Sequence, residues 1–185
     1  MEMTTLVGNK PEIKRIALAY EKAPNELPLI TEDQIHELRT IVSLVYNEVS
    51  SVYYFDFAKD DPYKYERVKE MIPDFKKGVI RVNTSGNNSD LWGPVYNLLF
   101  RGTHDYIHAK HLHEFHVKDE IIAYLDQIDL SYHVIFGYLR NIRSFRESWE
   151  LYKKVLRSEI IYQACVKTYF KEFHLPVQKI ILQDL

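Results

Sequence analysis

Thirteen consecutive residues hold five of the chain's eight histidines: His104-Asp-Tyr-Ile-His-Ala-Lys-His-Leu-His-Glu-Phe-His116. Imidazole is the commonest transition-metal ligand and the commonest proton carrier near neutral pH. Such crowding points to a metal centre or an acid–base site. His104 and His108 are four apart. On a helix that spacing puts them on one face, where two imidazoles can grip one ion. His111 lies one turn further along, while His113 and His116 fall at or beyond the expected helix end.

A helical wheel places Val95, Leu98, Leu99, Gly102, Tyr106 and Ala109 on one face. His104, His108 and His111 lie nearly opposite, with Phe100 and Ile107 beside them. A helix that is apolar on both sides is central in its bundle. Three readings stay open for the histidines: metal ligands, buried hydrogen-bonded rings, or a solvent-facing row. An unpaired polar ring in the interior is expensive, so ligation requires partners from other helices.

Glu48 lies between Val45 and Val52, inside an apolar stripe, where a carboxylate must be paired or metal-bound. Glu120 opens the helix after the His segment, where its charge also suits a helix N-terminus. Glu159 and Gln163 share a face with Tyr152 and Leu156. The candidate ligand set is therefore His104, His108, Glu48, Glu120 and Glu159, with Asp105 orienting a ring. Those donors suit Fe or Mn, or Zn with fewer ligands. Arg101, one turn before His104, is placed to hold an anionic group or to make an ion pair.

Asp105 and His108 form a D-x-x-H pair, similar to the E-x-x-H spacing of di-iron carboxylate bundles. His104-Asp105 also looks like the paired residues of HD-domain phosphohydrolases, which are helical and metal-dependent. That reading requires an upstream His and a downstream Asp, for which His36 and either Asp126 or Asp129 are available. There is no P-loop, G-x-G-x-x-G, G-x-S-x-G or Cys/His zinc spacing. The single cysteine, Cys165, excludes an internal disulfide and reads as core.

At 185 residues one domain with a full core is expected. The fold class is all-α: a single-domain helical bundle with an irregular N-terminal arm over 1–30 and a helical domain over 31–185. A helix within the arm fits at Ile13–Lys22. Thr31 and Gln34 predict a capping box and a helix over 31–55. Asp60-Asp61-Pro62 breaks it, and a short helix follows at 62–72, stopping near Pro73. A long irregular loop covers about 76–94, within which Val79–Val82 can be extended. Further helices are expected at 91 or 94 to 113, 118–129, 131–141 and 144–172, with Pro176 ending the last.

A net charge of -2 gives no reason to expect general nucleic-acid binding. No apolar run approaches a membrane span, and the first residues lack a secretory pattern. The expectation is a cytoplasmic protein, of the cell or of a virus in it. It would act on an unidentified small molecule, with a homo-oligomer or virion partner left open.

Asn97-Leu-Leu-Phe-Arg101, His104-Asp105, His108-Ala109, Phe115, Glu120 and Glu159-x-x-x-Gln163 together resemble a group of phage-encoded and bacterial helical proteins. That group carries N-x-L-F-R-x-x-H-D, a nearby His-Ala, a later Glu and an E-x-x-x-Q pair. Glu48 and Met71–Val82 extend the similarity to about residues 31–180. The group's pattern has HD-x-x-G-H, whereas Ile107 here directly precedes His108. The second His is thus one residue closer, and His111 is the alternative equivalent. The resemblance implies phage association and a shared site, not a reaction. Two function classes follow. One is a metal-dependent enzyme, either oxidative with non-haem iron or hydrolytic. The other is a non-enzymatic phage structural, assembly or host-interaction protein with a structural His cluster.

Overall fold

Thr31 starts the first long helix as its sequence predicts. Its Oγ1 accepts the Gln34 N–H at 3.2 Å, and Gln34 Oε1 accepts the Thr31 N–H at 2.9 Å. The computed structural model in which this is seen describes residues 6–24, 29–58, 67–87, 89–138, 145–171 and 179–183. It is a mostly helical bundle. In chain order it comprises α1 (Lys10–Lys22), α2 (Glu32–Ser50), β1 (Tyr54–Ala58), α3 (Val68–Phe75), β2 (Val79–Asn83), α4 (Gly93–His111) and α5 (Val117–Tyr138). Then α6 (Phe145–Arg157) runs through a π-helical turn (Ser158–Tyr162) into α7 (Gln163–Phe170). The expected break at Asp60-Asp61-Pro62, the end of the 131–141 helix and the stop at Pro176 lie outside the described residues.

Several boundaries differ from expectation for physical reasons. The segment expected as an arm contains α1, whose Ile13, Ile16, Ala17 and Tyr20 are buried against α7. The Tyr20 hydroxyl donates to the Lys179 carbonyl at 2.8 Å and accepts the Lys179 N–H at 2.9 Å, tying both ends of the chain together. α2 stops at Ser50, and Tyr54–Ala58 forms a strand instead of extending the helix. Aromatic side chains favour a pleated, half-buried surface. Here Phe55 is buried while Tyr54 beside it is exposed. The 118–129 and 131–141 segments are one helix through Tyr138.

β1 and β2 pair in parallel, with Tyr54 opposite Val79 and Ala58 opposite Asn83. Parallel neighbours need a crossover, and α3 lies within it. The two strands turn part of the expected 76–94 loop into a platform that packs on α4. Gly102 makes that approach close. A Cβ there would lie 2.9 and 3.0 Å from two atoms of the buried Phe55 ring. Overpacking costs about 1–3 kcal/mol, against a helix-propensity gain of about 1 kcal/mol. Gly102→Ala is therefore expected to lower the melting temperature by a few degrees, read by thermal circular dichroism. An unchanged or higher midpoint would show that the α4–sheet contact yields freely.

Two clusters of buried side chains meet at α4. Phe100 belongs to the larger, with residues of α1, α2, α5, α6 and α7. Tyr106, Ile107 and Ala109 belong to the smaller, beneath the sheet and α3. The His pair is thus carried by the central helix of the bundle, as its two-sided apolar wheel predicts.

Candidate metal centre

α4 presents His104 and His108 one turn apart toward α5, whose first turn supplies Glu120. The three form a nearly closed triangle. His104 Nε2 and His108 Nε2 are 3.0 Å apart. Glu120 Oε2 lies 3.1 Å from the first and 3.4 Å from the second. Donor atoms around one ion at 2.0–2.2 Å sit roughly 2.8–3.6 Å from each other at octahedral to tetrahedral angles. All three edges fall in that range. The rings are almost perpendicular, at 85°, so the two in-plane lone pairs can aim at one point. His108 is fully buried, and the side chains of His104 and Glu120 are 16% and 11% exposed.

The outer ring nitrogens fix the tautomers. His108 Nδ1 lies 2.8 Å from the His113 carbonyl oxygen. A carbonyl only accepts, so this nitrogen carries the proton. His104 Nδ1 lies 3.0 Å from Gln127 Oε1 and donates to it. With both Nδ1 atoms protonated, the neutral rings point bare lone pairs at each other and at a carboxylate oxygen. Three acceptors at such distances repel unless a cation or added protons lie among them. Burial by itself would raise the Glu120 carboxyl pKa. Where added protons charge the rings, hydrogen bonds and charge from His104 and His108 outweigh it and lower the pKa to about 2.

Each support has a local cause. α4 ends at Leu112, which takes a left-handed conformation with φ 60°. This turns the chain so that the His113 carbonyl faces back onto His108. Phe115 stacks on the His108 ring at 4.3 Å. Glu120, Gln127 and Ser131 are a buried polar stripe on α5, spaced seven and four residues apart on one helical face. Gln127 was not among the sequence candidates. That spacing from Glu120 was the available signal. Partners that fix the tautomer of ligating histidines are worth about 10–100-fold in metal affinity. Gln127→Ala is expected to weaken metal binding by that factor with little change in folding, measured by competition with a chromophoric chelator. Unaltered affinity would mean that Gln127 does not hold the ring.

The other sequence candidates lie elsewhere. Glu48 is exposed on α2 and does not join the triangle. The apolar stripe that pointed it inward ends at Val49, since Val52 is 74% exposed. Asp105 is half-buried and interacts with Arg101 by charge, whereas the His104 ring is oriented by Gln127. Arg101 does not meet a ligand site. Its guanidinium donates to the carbonyls of Asn83, Ser85 and Gly86 at 3.1, 2.7 and 2.8 Å. Asn97 donates to Asn87 Oδ1 at 2.7 Å. The Asn97 and Arg101 positions of N-x-L-F-R therefore clamp the loop after β2. The HD-type set is not assembled: His36 is exposed on α2, Asp129 is exposed beside His133, and Asp126 faces His113 and His111.

Glu159 is buried but stands apart from the triangle, at the π turn. Its Oε2 accepts from Gln163 Nε2 at 2.6 Å, and its Oε1 has no hydrogen-bond partner. Burial pushes its pKa up to about 7, although Gln163, Arg101 and the Trp92 indole pull the other way. Glu159 and Gln163 line a pocket of about 180 Å³ that also reaches His104, Glu120 and Lys167. The pocket is the opening onto the triangle. π turns recur at functional sites, and this one places the E-x-x-x-Q pair at that opening.

A second grouping comprises His111, His113 and Asp126. His113, placed by the sequence at or beyond the helix end, approaches Asp126 Oδ2 to 2.7 Å through Nε2. His111 stays 3.8 Å from the same oxygen and is more exposed. His111 thus belongs to this group and His108 to the buried one, although the shortened motif spacing left both open. No helix among the described residues is long and apolar enough to cross a membrane. Comparison of the chain with family models, curated proteins and solved structures finds no match in any of the three.

Proposed function

We propose that this is a metal-dependent helical protein whose ion is held by His104, His108 and Glu120. The observation that carries the reading is the convergence of three acceptor atoms while both Nδ1 protons are committed outward. Two imidazoles and one carboxylate leave coordination positions open and suit Fe, Mn or Zn. The ion would supply Lewis-acid or redox chemistry to a small molecule, or to the end of a larger one, entering the pocket beside it. Gln127 and the His113 carbonyl hold the rings in the ligating tautomer. Glu159, neutral below about pH 7, would offer or take a proton across that pocket. Oxidation with non-haem iron and metal-assisted hydrolysis both fit the donor set. The N-x-L-F-R-x-x-H-D resemblance supports a phage origin.

The test is metal analysis of protein purified without a histidine tag, beside a His104→Ala, His108→Ala double variant. About one equivalent of Fe, Mn or Zn is expected in the wild type and none in the variant. A folded wild type that stays metal-free after incubation with these ions would sink the proposal. The same atoms would then be a proton-sharing His–His–Glu network, as the non-enzymatic phage reading requires. The 3.0 Å separation of the two Nε2 atoms also suits that arrangement.

A further inference from the structure

We infer that His111, His113 and Asp126 form a second metal site, an outer one at the α4–α5 turn, which takes a divalent ion of the zinc type and braces the turn. It shares no ligand with the buried triangle and does not rest on that reading. The three donor atoms lie within 4.8 Å of one another. Asp126 Oδ2 is 2.7 Å from His113 Nε2 and 3.8 Å from His111 Nδ1. Donors on one ion at 2.0–2.2 Å sit roughly 2.8–3.6 Å apart. The first edge is therefore nearly closed, and the second needs only a small swing of His111. That side chain is 38% exposed at the last position of α4, so the swing meets little packing.

An ion pair between His113 and Asp126 accounts for one imidazole but not for two. Residues two apart on a regular helix do not face each other. The left-handed Leu112 between them is what brings His111 and His113 together. Their rings stack with planes 10° apart and centroids at 5.6 Å. Each turns a nitrogen toward the same carboxylate oxygen, Asp126 Oδ2. The exposed pair of His133 and Asp129, at 3.5 Å on α5, is the ordinary case: it gathers no third donor among the described residues.

The backbone presets the site. The His113 N–H donates to the His108 carbonyl at 3.1 Å, and the His113 carbonyl accepts from His108 Nδ1 at 2.8 Å. The neighbouring Glu114 N–H donates to Asp119 Oδ2 at 3.1 Å, closing the turn onto α5. A donor fixed in this way loses little freedom when it binds. Two imidazoles and one carboxylate select zinc and its neighbours over calcium or magnesium, which take oxygen donors. Partly exposed ligands leave positions for water, so the outer ion is held loosely and leaves on dialysis. While bound it ties α4 through His111, the turn through His113 and α5 through Asp126. The brace lies directly behind His108, whose ring the His113 carbonyl orients.

The test titrates zinc chloride into chelator-stripped, untagged protein, with free zinc set by a competing chromophoric chelator. His111→Ala, at an exposed helix end, is expected to weaken one zinc equivalent by at least about tenfold, since even groups that only orient a ligand are worth that much. Asp126→Asn should do the same. His133→Ala, in the ordinary surface pair, should bind as wild type does. Zinc should also raise the melting midpoint of a His104→Ala, Glu120→Gln variant, in which only the outer site remains. Adding His111→Ala to that variant should abolish the rise. A single equivalent that is lost in His111→Ala and kept in His104→Ala, Glu120→Gln supports the outer site and removes the buried one. Equal zinc binding by wild type and His111→Ala overturns the proposal. So does an equal loss in His133→Ala, which would make the zinc an adventitious ion only.

Discussion

Glu120→Gln is expected to reduce metal affinity by more than a hundredfold while the protein remains folded. Glu120 contributes the only anionic donor of the triangle. Groups that merely orient a ligand are worth about 10–100-fold, so loss of a charged ligand must exceed that. The amide keeps the shape of the side chain and an oxygen that accepts a hydrogen bond, which separates metal loss from misfolding. Affinity is read by chelator competition and folding by circular dichroism. A variant that holds metal as tightly as wild type would remove Glu120 from the ligand set. In the metal-free protein the same carboxylate is linked to acid stability. Its pKa is lowered from 4.5 to about 2, so its contribution is present above pH 4.5 and is lost as the pH falls through 2.

Glu159→Gln is expected to do the opposite of most buried polar substitutions and stabilise the protein at pH 8. Burial is the largest influence on this carboxyl, and it raises the pKa from 4.5 to about 7. Between those values the folded chain keeps a proton that the unfolded chain has released. Stability is therefore full below pH 4.5 and declines as the pH rises through 7. A gap of this size corresponds to about 3 kcal/mol. Gln cannot ionise, so the variant should gain on the order of 2–3 kcal/mol at pH 8 and little at pH 4.5. For a chain of this length the midpoint should rise by roughly 4–10 °C. Thermal melts of both proteins across pH 4.5 to 8 check this; parallel curves would contradict it. A carboxylate retained at such a loss of stability, on the wall of a pocket beside two imidazoles, has the mark of a functional group.

The sequence carried the helices well where one residue type decided the outcome. Thr31 and Gln34 marked the start of α2, and the two-sided wheel of α4 marked its central place. Val79–Val82 was legible as extended and is strand β2, but β1 was missed, because Val45, Val49 and Val52 continue a helical repeat past the point where the chain leaves the helix. Only the pairing of Tyr54–Ala58 with Val79–Asn83 settles that competition, and a partner some 25 residues away is invisible to local pattern. The same limit applies to the site. His104 and His108 were legible because both lie on one helix, and Glu120 because it opens the next. Glu48 was misplaced by extrapolating an apolar stripe. Gln127 and the His113 carbonyl were missed, since a backbone oxygen turned by a left-handed Leu112 leaves no mark in a motif. Arg101 read as an anion holder or an ion-pair partner because its three carbonyl partners belong to a loop whose path the sequence does not state.

The π turn at Ser158–Tyr162 gives the helix that follows it an unusual response to a change in chain length. A π turn holds one residue more than the α-helical turn it replaces. Deleting one residue there would let α6 and α7 run on as a regular helix with both keeping their faces, whereas a deletion within α7 itself would rotate everything downstream by about 100°. In that second case Cys165 and Val166, now buried, would swing off the core. At the π turn the chain can lose a codon without re-indexing the helix that follows.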